Sequence, residues 1–252
     1  MDRMDINCDI GESYGYFSVG NDEKVFPYIT SCNIACGFHG GDPIHIENTI
    51  TNALKHKVQI GAHPSYPDLM GFGRRPMQLP LNELRAILKY QISALKGMTE
   101  SLGGRLVYVK PHGALYNSIT NNEEEGIATL EAIQAIDPQL AIMGLPGSKL
   151  EHLAHNRGIT FVREGFIDRA YLPTGNLMPR NQNGAVVATV EDSVAQAISI
   201  IKEKKVKVQG GIIDLEVDSI CIHGDNPLAP EILKDIQKAA ERNNFNLAKF
   251  LV

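Results

Sequence analysis

Short apolar runs alternate with longer amphipathic segments through most of this 252-residue chain, and that alternation restricts the fold more than any other feature. The runs Met4 to Ile10, Ile29 to Cys36, Val58 to His63, Leu106 to Lys110, Leu140 to Gly144, Thr160 to Glu164 and Ser219 to His223 have the length of strands. Helical spacing of apolar residues occupies Pro43 to Lys57, Leu81 to Leu102, Asn122 to Ile136, Ser148 to Arg157, Val190 to Lys204 and Pro230 to Asn243. Strands separated by helices in this way pair in parallel, because a parallel connection has to cross back over the sheet. Lys205 to Leu215, centred on Gly210 and Gly211, reads instead as a hairpin inserted before the last strand. With 43% apolar composition, the chain is expected to form a single α/β domain over residues 1–252.

Seven strands fit either an open doubly wound sheet or a closed barrel, and the polar residues decide between them. An open sheet gathers its ligand at one switch point, so most strand ends should be chemically plain. Here the first strand ends in Asn7, Asp9 and then Glu12, and the second leads to His39 and Asp42. The third reaches His63, the fourth Lys110 and His112, the sixth Asp168 and Arg169, and the seventh His223 and Asp225. A ring of loops at the C-terminal ends of an irregular, TIM-like, seven-stranded α/β barrel collects all of them. Residues two apart share a strand face, so Asn7 with Asp9, and Gly61 with His63, should point into the barrel. The intervening Ile10, Ile60, Ala62, Val109 and Ile222 should face the helices.

Each motif has a plainer reading beside the chemical one. In NIACGFHGGDP, His39 stands on a glycine-flanked loop with access to a ligand, whereas Asp42 before Pro43 serves equally well as a helix N-cap. GAHPSYPDLMGFGRR reads as a candidate lid, with Arg74 and Arg75 suited either to a ligand anion or to surface ion pairs. In VKPHGALYN, Lys110 is costly in an apolar strand unless it meets an anion. An ion pair with Asp9 would satisfy it; so would a role in stabilising developing negative charge while His112 moves a proton.

Net charge of −5 gives no long-range attraction for nucleic acid or an anionic membrane, and a small molecule is the expected partner. No run approaches the roughly 20 apolar residues of a membrane helix, and MDRMDINCDI carries acids where a signal peptide would be apolar, so a cytoplasmic protein is expected. Cys8, Cys32, Cys36 and Cys221 form no CxxC pair and read as buried thiols. Asp9, His39, His63, His112 and His223 supply enough donors for a bound divalent metal. No HxxxH or HExxH spacing fixes two ligands locally, so no residue is assigned as a metal ligand. A G-x-x-x-x-G-K-[ST] phosphate loop is absent too, leaving ATP binding without local support.

Taken in order, INCDIGESYG, SCNIACGFHGGDP, GAHPSYPDLMGFGRR, VKPHGALYN, EGFIDRAYLPTGNLMPR and CIHGDNPLA resemble the LamB/YcsF family from Asp5 to about Ala229. The resemblance implies a barrel related to the polysaccharide-deacetylase fold and the role of the A subunit of a 5-oxoprolinase, working with subunits B and C. It also implies the reaction, which opens 5-oxo-L-proline to L-glutamate while ATP, used with Mg, is hydrolysed to ADP and phosphate. For such a reaction Asp9 or His63 is the expected base toward water, and Lys110 with His112 stabilises the oxyanion and protonates nitrogen. Arg74 or Arg169 holds the substrate carboxylate, and Asn7, Glu12, His39, Asp42, Asp168, His223 and Asp225 complete the expected binding ring. The competing expectations are a metal-dependent deacetylase of sugars and a non-catalytic ligand-binding subunit.

Overall fold

The computed structural model describes residues 2–250. Six parallel strands come first: β1 (Asp2–Ile10), β2 (Ser31–Ala35), β3 (Gln59–His63), β4 (Leu106–Val109), β5 (Ala141–Gly144) and β6 (Phe161–Phe166). An antiparallel hairpin follows, β7 (Lys205–Val208) and β8 (Gly211–Asp214), at the position expected for it. β9 (Ser219–His223) then closes the barrel by pairing with β6 on one side, Phe166 opposite Cys221, and with β1 on the other, Asp9 opposite His223. The seven barrel strands are thus β1 to β6 and β9, all parallel, as the alternation required.

Helices carry the crossovers: α1 (Asp22–Val25), α2 (Pro43–Lys55), α3 (Leu81–Ser101), α4 (Gly113–Asn121), α5 (Glu123–Ile136), α6 (Lys149–Asn156), α7 (Val190–Ile198) and α8 (Ala229–Asn243). Their starts are capped where the sequence offers oxygens: Asp42, Asn122, Ser148 and Thr189 accept from backbone N–H groups of α2, α5, α6 and α7. The helix expected to reach Lys204 is α-helical only to Ile198, continues as a π turn over Ser199–Glu203 and stops at Lys204 with φ 54°. The one-turn α1, the helix α4 and the strand β10 were not expected. α4 begins at Gly113, where φ is 58° and a β-carbon would lie 2.5 Å from the Gly73 carbonyl oxygen, so the turn into it is open only to glycine. The three-residue β10 (Phe245–Leu247) pairs with the start of β1.

Two cores result from the period of two. Outside the barrel, Ile10, Ile60, Ala62, Val109 and Ile222 pack with Leu84, Leu88 and Ile92 of α3 and Ile232 and Ile236 of α8. Each fully buried Val, Leu or Ile side chain among them contributes about 1.5–3 kcal/mol. Inside, a smaller cluster of Tyr108, Ala141, Met143 and Val162 fills one wall. Tyr108 leans across to β3, where a β-carbon on Gly61 would stand 2.3 Å from its ring. Apart from Phe166 and Cys221, the side chains around Lys110 farther up are polar, and they lead to the mouth. Among the described residues no helix is long and apolar enough to cross a membrane.

Candidate active site

Asp9 and Lys110 meet at the top of the barrel because β1 and the end of β4 direct these side chains inward. Lys110 Nζ donates to Asp9 Oδ1 at 2.7 Å and to Asn7 Oδ1 at 3.3 Å, and stands 2.8 Å from Glu164 Oε1 and 3.0 Å from Cys221 Sγ. Burial opposes the ammonium, but Asp9 and the groups around it outweigh burial and hold the lysine well above its usual range. Burial would likewise raise Asp9; His63 and Lys110 override it and keep the carboxyl well below the usual carboxylate range. The expected ion pair therefore exists, and it is a triad. Glu164 was missed because it closes a strand whose next polar residues, Asp168 and Arg169, drew attention. Its alternation with Val162 and Phe166 would have placed it inside.

Beside this triad, the end of β3 and the loops after β1, β2 and β4 bring Glu12, His39, His63 and His112 together, all buried. His63 Nδ1 lies 2.7 Å from the Lys110 carbonyl and His112 Nε2 lies 2.8 Å from the Phe72 carbonyl. A carbonyl only accepts, so each of these nitrogens carries the proton. The remaining nitrogens, His63 Nε2 and His112 Nδ1, face each other at 2.9 Å. Glu12 Oε1 is 3.4 Å from His112 Nδ1 and 3.1 Å from His39 Nε2, and His39 stacks on His112 with ring centroids 3.8 Å apart. Burial holds His39 and His112 well below the usual histidine range, and burial, with Asp9 and Asp225 nearby, pushes Glu12 well above the usual carboxylate range.

A cavity of about 640 Å³ opens over these groups, lined by Asp9, His63, Lys110, His112 and His223 on the barrel side and by Arg74, Arg169 and Arg180 on the loop side. Arg74 packs over the Phe72 ring and donates to Asp225 at 2.5 Å. Arg169 is pinned by the carbonyls of Ala185 and Met178, and burial together with the Arg180 charge brings its guanidinium down to about 10. Arg180, exposed on the loop, went unnoticed in the sequence because nothing in its local pattern distinguishes it. His223 is oriented by Asp168, whose Oδ1 accepts from Nδ1 at 2.9 Å. Among the described residues no hydrogen bond engages His223 Nε2, whereas His112 has both nitrogens occupied. Both imidazoles line the cavity, His223 with Nε2 open and His112 with Nε2 held by the Phe72 carbonyl.

Two ring members, Asp42 and Asn7, sit elsewhere, as does Arg75, the other arginine of the candidate lid. Asp42 does not line the cavity; it caps α2, accepting from Ile44 N and His45 N, and binds Gly15 N. Asn7 lies below the mouth, joining Ser219 to Asn33 and Lys110. Arg75 turns outward to an ion pair with Asp68. All four cysteines are free and buried.

A closed seven-stranded parallel barrel whose ionisable groups gather at the strand ends places the chain in the architectural class of the carbohydrate-esterase barrels. A family 4 carbohydrate esterase from Streptomyces lividans superposes with a TM-score of 0.54 over 98% of this chain and 92% of its own, at 10% identity, a likeness of fold alone. The LamB/YcsF family model matches residues 4–251, and the chain belongs to that family. It is 45% identical to the 5-oxoprolinase A subunit of Pyrococcus furiosus over 95% of this chain and 94% of the relative. The crystal structure of the lactam utilization protein from Thermus thermophilus superposes with a TM-score of 0.91 at 40% identity, covering 98% of this chain and 99% of that one.

Proposed function

We propose that this chain is the ring-opening subunit of an ATP-dependent 5-oxoprolinase, converting 5-oxo-L-proline to L-glutamate with partner subunits B and C in the cytoplasm. The names of its relatives support the lactam and the subunit role. The observation that carries the reading is an ionised carboxylate, Asp9, lining a cavity that three guanidinium groups, Arg74, Arg169 and Arg180, also line. That polarity suits a small anion whose carboxylate meets arginine while its amide faces the base. Four free, buried cysteines support a reducing compartment.

Opening the lactam requires a nucleophilic water, a stabilised oxyanion and a proton for the departing nitrogen. Asp9 takes the proton from water, and the oxygen adds to the lactam carbonyl carbon. Negative charge then develops beside the Lys110 ammonium. Collapse breaks the carbon–nitrogen bond, and His223, held by Asp168, gives nitrogen its proton. The sequence contains no phosphate loop of the P-loop type, so phosphorylation of the lactam oxygen by ATP with Mg belongs to the partners. Phosphorylation precedes the attack: the water that Asp9 deprotonates opens the activated ring to an acyl phosphate, the charge beside Lys110 being that of the phosphoryl oxygens, and a second water releases phosphate.

The test is glutamate release from 5-oxoproline, ATP and magnesium, with this chain alone and with subunits B and C. Turnover is expected only in the mixture, and Asp9→Asn should lower it by about 10²–10⁴-fold while the melting curve shows an intact fold. Full turnover in the Asp9→Asn mixture would remove Asp9 from the mechanism. No turnover with intact partners would replace the lactam reading by the sugar-deacetylase or carrier reading.

A further inference from the structure

We propose that Glu12, His39, His63 and His112 bind a first-row divalent cation of the zinc type, a site that ties together the end of β3 and the loops after β1, β2 and β4. The two backbone carbonyls fix the tautomers of His63 and His112, so in the neutral pair two lone pairs confront each other across 2.9 Å. Glu12 Oε1 adds a third acceptor, 3.4 Å from His112 Nδ1, and His39 Nε2 stands 3.1 Å from that oxygen. Buried acceptors turned toward one another are unfavourable unless something positive lies among them.

A proton is the first candidate, and it relieves only one contact. Placed between His63 and His112, it leaves Glu12 and His39 to share whatever hydrogen they have, with His39 Nδ1 buried and unpartnered. A metal ion among the four ligand atoms relieves the His63–His112, His112–Glu12 and Glu12–His39 contacts together, and leaves only His39 Nδ1 as it stands. Zinc lies about 2.0–2.1 Å from nitrogen and oxygen ligands, so tetrahedral ligand atoms are about 3.3 Å apart. The observed spacings of 2.9, 3.1 and 3.4 Å surround that value, and the four ligand atoms all lie within 4.8 Å of one another. The chemistry of the set is also that of zinc: imidazoles with one carboxylate, where calcium or magnesium would demand oxygen. Metal-bound histidines ordinarily donate their outer N–H to a carbonyl or carboxylate, and both His63 and His112 do so here. Asp9 Oδ2, 3.4 Å from His63 Nε2, adds negative charge beside the ion.

The experiment uses the full chain, stripped with a chelator and equilibrated with zinc sulfate alone, with bound metal read by elemental analysis and stability by melting. One zinc per chain and a higher melting temperature are expected, and Co(II) in its place should give the intense visible bands of tetrahedral coordination. Glu12→Gln and His39→Gln should each lose the stoichiometric ion, whereas His152→Gln, on the exposed face of α6, should keep it. Melting without metal reports whether each variant folds, and the wild-type Co(II) spectrum needs no variant at all. Failure of the wild type to retain zinc, six-coordinate Co(II) bands, or equal zinc in all the variants would overturn the site. So would nitrogen NMR showing a single proton between His63 and His112 in zinc-saturated protein. The site stands on geometry and not on the substrate, so an active 5-oxoprolinase without zinc would remove the ion and leave the lactam reading in place.

Discussion

The floor and the mouth of the barrel both hang polar side chains on β1, yet they treat them in opposite ways. At the floor, Asp5 Oδ1 accepts from Thr30 Oγ1 and Ser31 Oγ, each at 2.6 Å, and Oδ2 accepts from Ser219 Oγ at 2.5 Å. Every strong acceptor there meets a hydroxyl donor, and none of those hydroxyls carries charge. Two turns of the pleat higher, Asp9 shares Lys110 with Glu164, and the histidine cluster sets acceptors against acceptors. A satisfied polar network is an ordinary component of a core, whereas charges and lone pairs confined against one another persist where a ligand or reaction makes use of them. The difference between the two levels separates scaffold from site more cleanly than residue type does, since both levels contain an aspartate.

The comparison breaks first at Lys110. Lys110→Met removes the only cation that reaches both Asp9 and Glu164 among the described residues and strands two buried carboxylates. The expected cost is about 3–5 kcal/mol, read as a large fall in the urea midpoint at neutral pH. A variant as stable as the parent would mean that the mouth holds no uncompensated charge and that the contrast with the floor is one of appearance.

The floor is tested by pH. Burial raises the Asp5 carboxyl from its ordinary 3.8 to about 6, with the three hydroxyl donors opposing the shift. Between those values the folded protein holds a proton that the unfolded chain has lost, so stability is complete below the lower value and declines as pH rises through the upper one. The decline attributable to Asp5 is about 3 kcal/mol. Asp5→Asn keeps an acceptor and cannot ionise, so it should flatten the slope of unfolding free energy against pH over this range. Asp22, also raised to about 6 by burial, adds a slope of the same sign, which remains in both proteins and cancels in the difference. Identical pH profiles would show that the floor carboxylate is not confined as its burial implies.

How far the sequence reveals this contrast depends on the range over which each feature is written. The strands, most of the helices and the inward face of β1 are legible because they repeat locally, with a period of two or of 3.6. Asp9, Lys110 and His63 are legible because a charge or imidazole within an apolar run needs a reason. The partners that give those residues their character are not local. Glu164 meets Lys110 only when the barrel closes, and Glu12, His39, His63 and His112 come from four separate strand ends, so no ligand spacing betrays them. α4 escaped because its glycine start and the Pro111-His112 approach read as loop. The Phe72 carbonyl that holds His112 Nε2 lies in a turn forty residues away, beyond the reach of any local pattern.

Asp42 gives the smallest and most discriminating test, because by position it belongs to the mouth and by bonding to the floor. It stands three residues beyond His39, yet Oδ1 accepts from Ile44 N and His45 N at 2.9 and 3.1 Å. Oδ2 accepts from Gly15 N at 2.7 Å and from His45 Nδ1 at 2.6 Å. The slight desolvation that would raise its carboxyl is outweighed by these donors, which hold it at about 2. With its accepting directions taken, Asp42 has nothing left to offer a ligand. Asp42→Ala should therefore cost about 1 kcal/mol through the lost helix cap, a fall in melting temperature of about 2–4 °C, and leave 5-oxoproline turnover with subunits B and C unchanged. Lost turnover at undiminished stability would mean that a saturated carboxylate still serves the site, and hydrogen-bond satisfaction would then no longer separate scaffold from mouth.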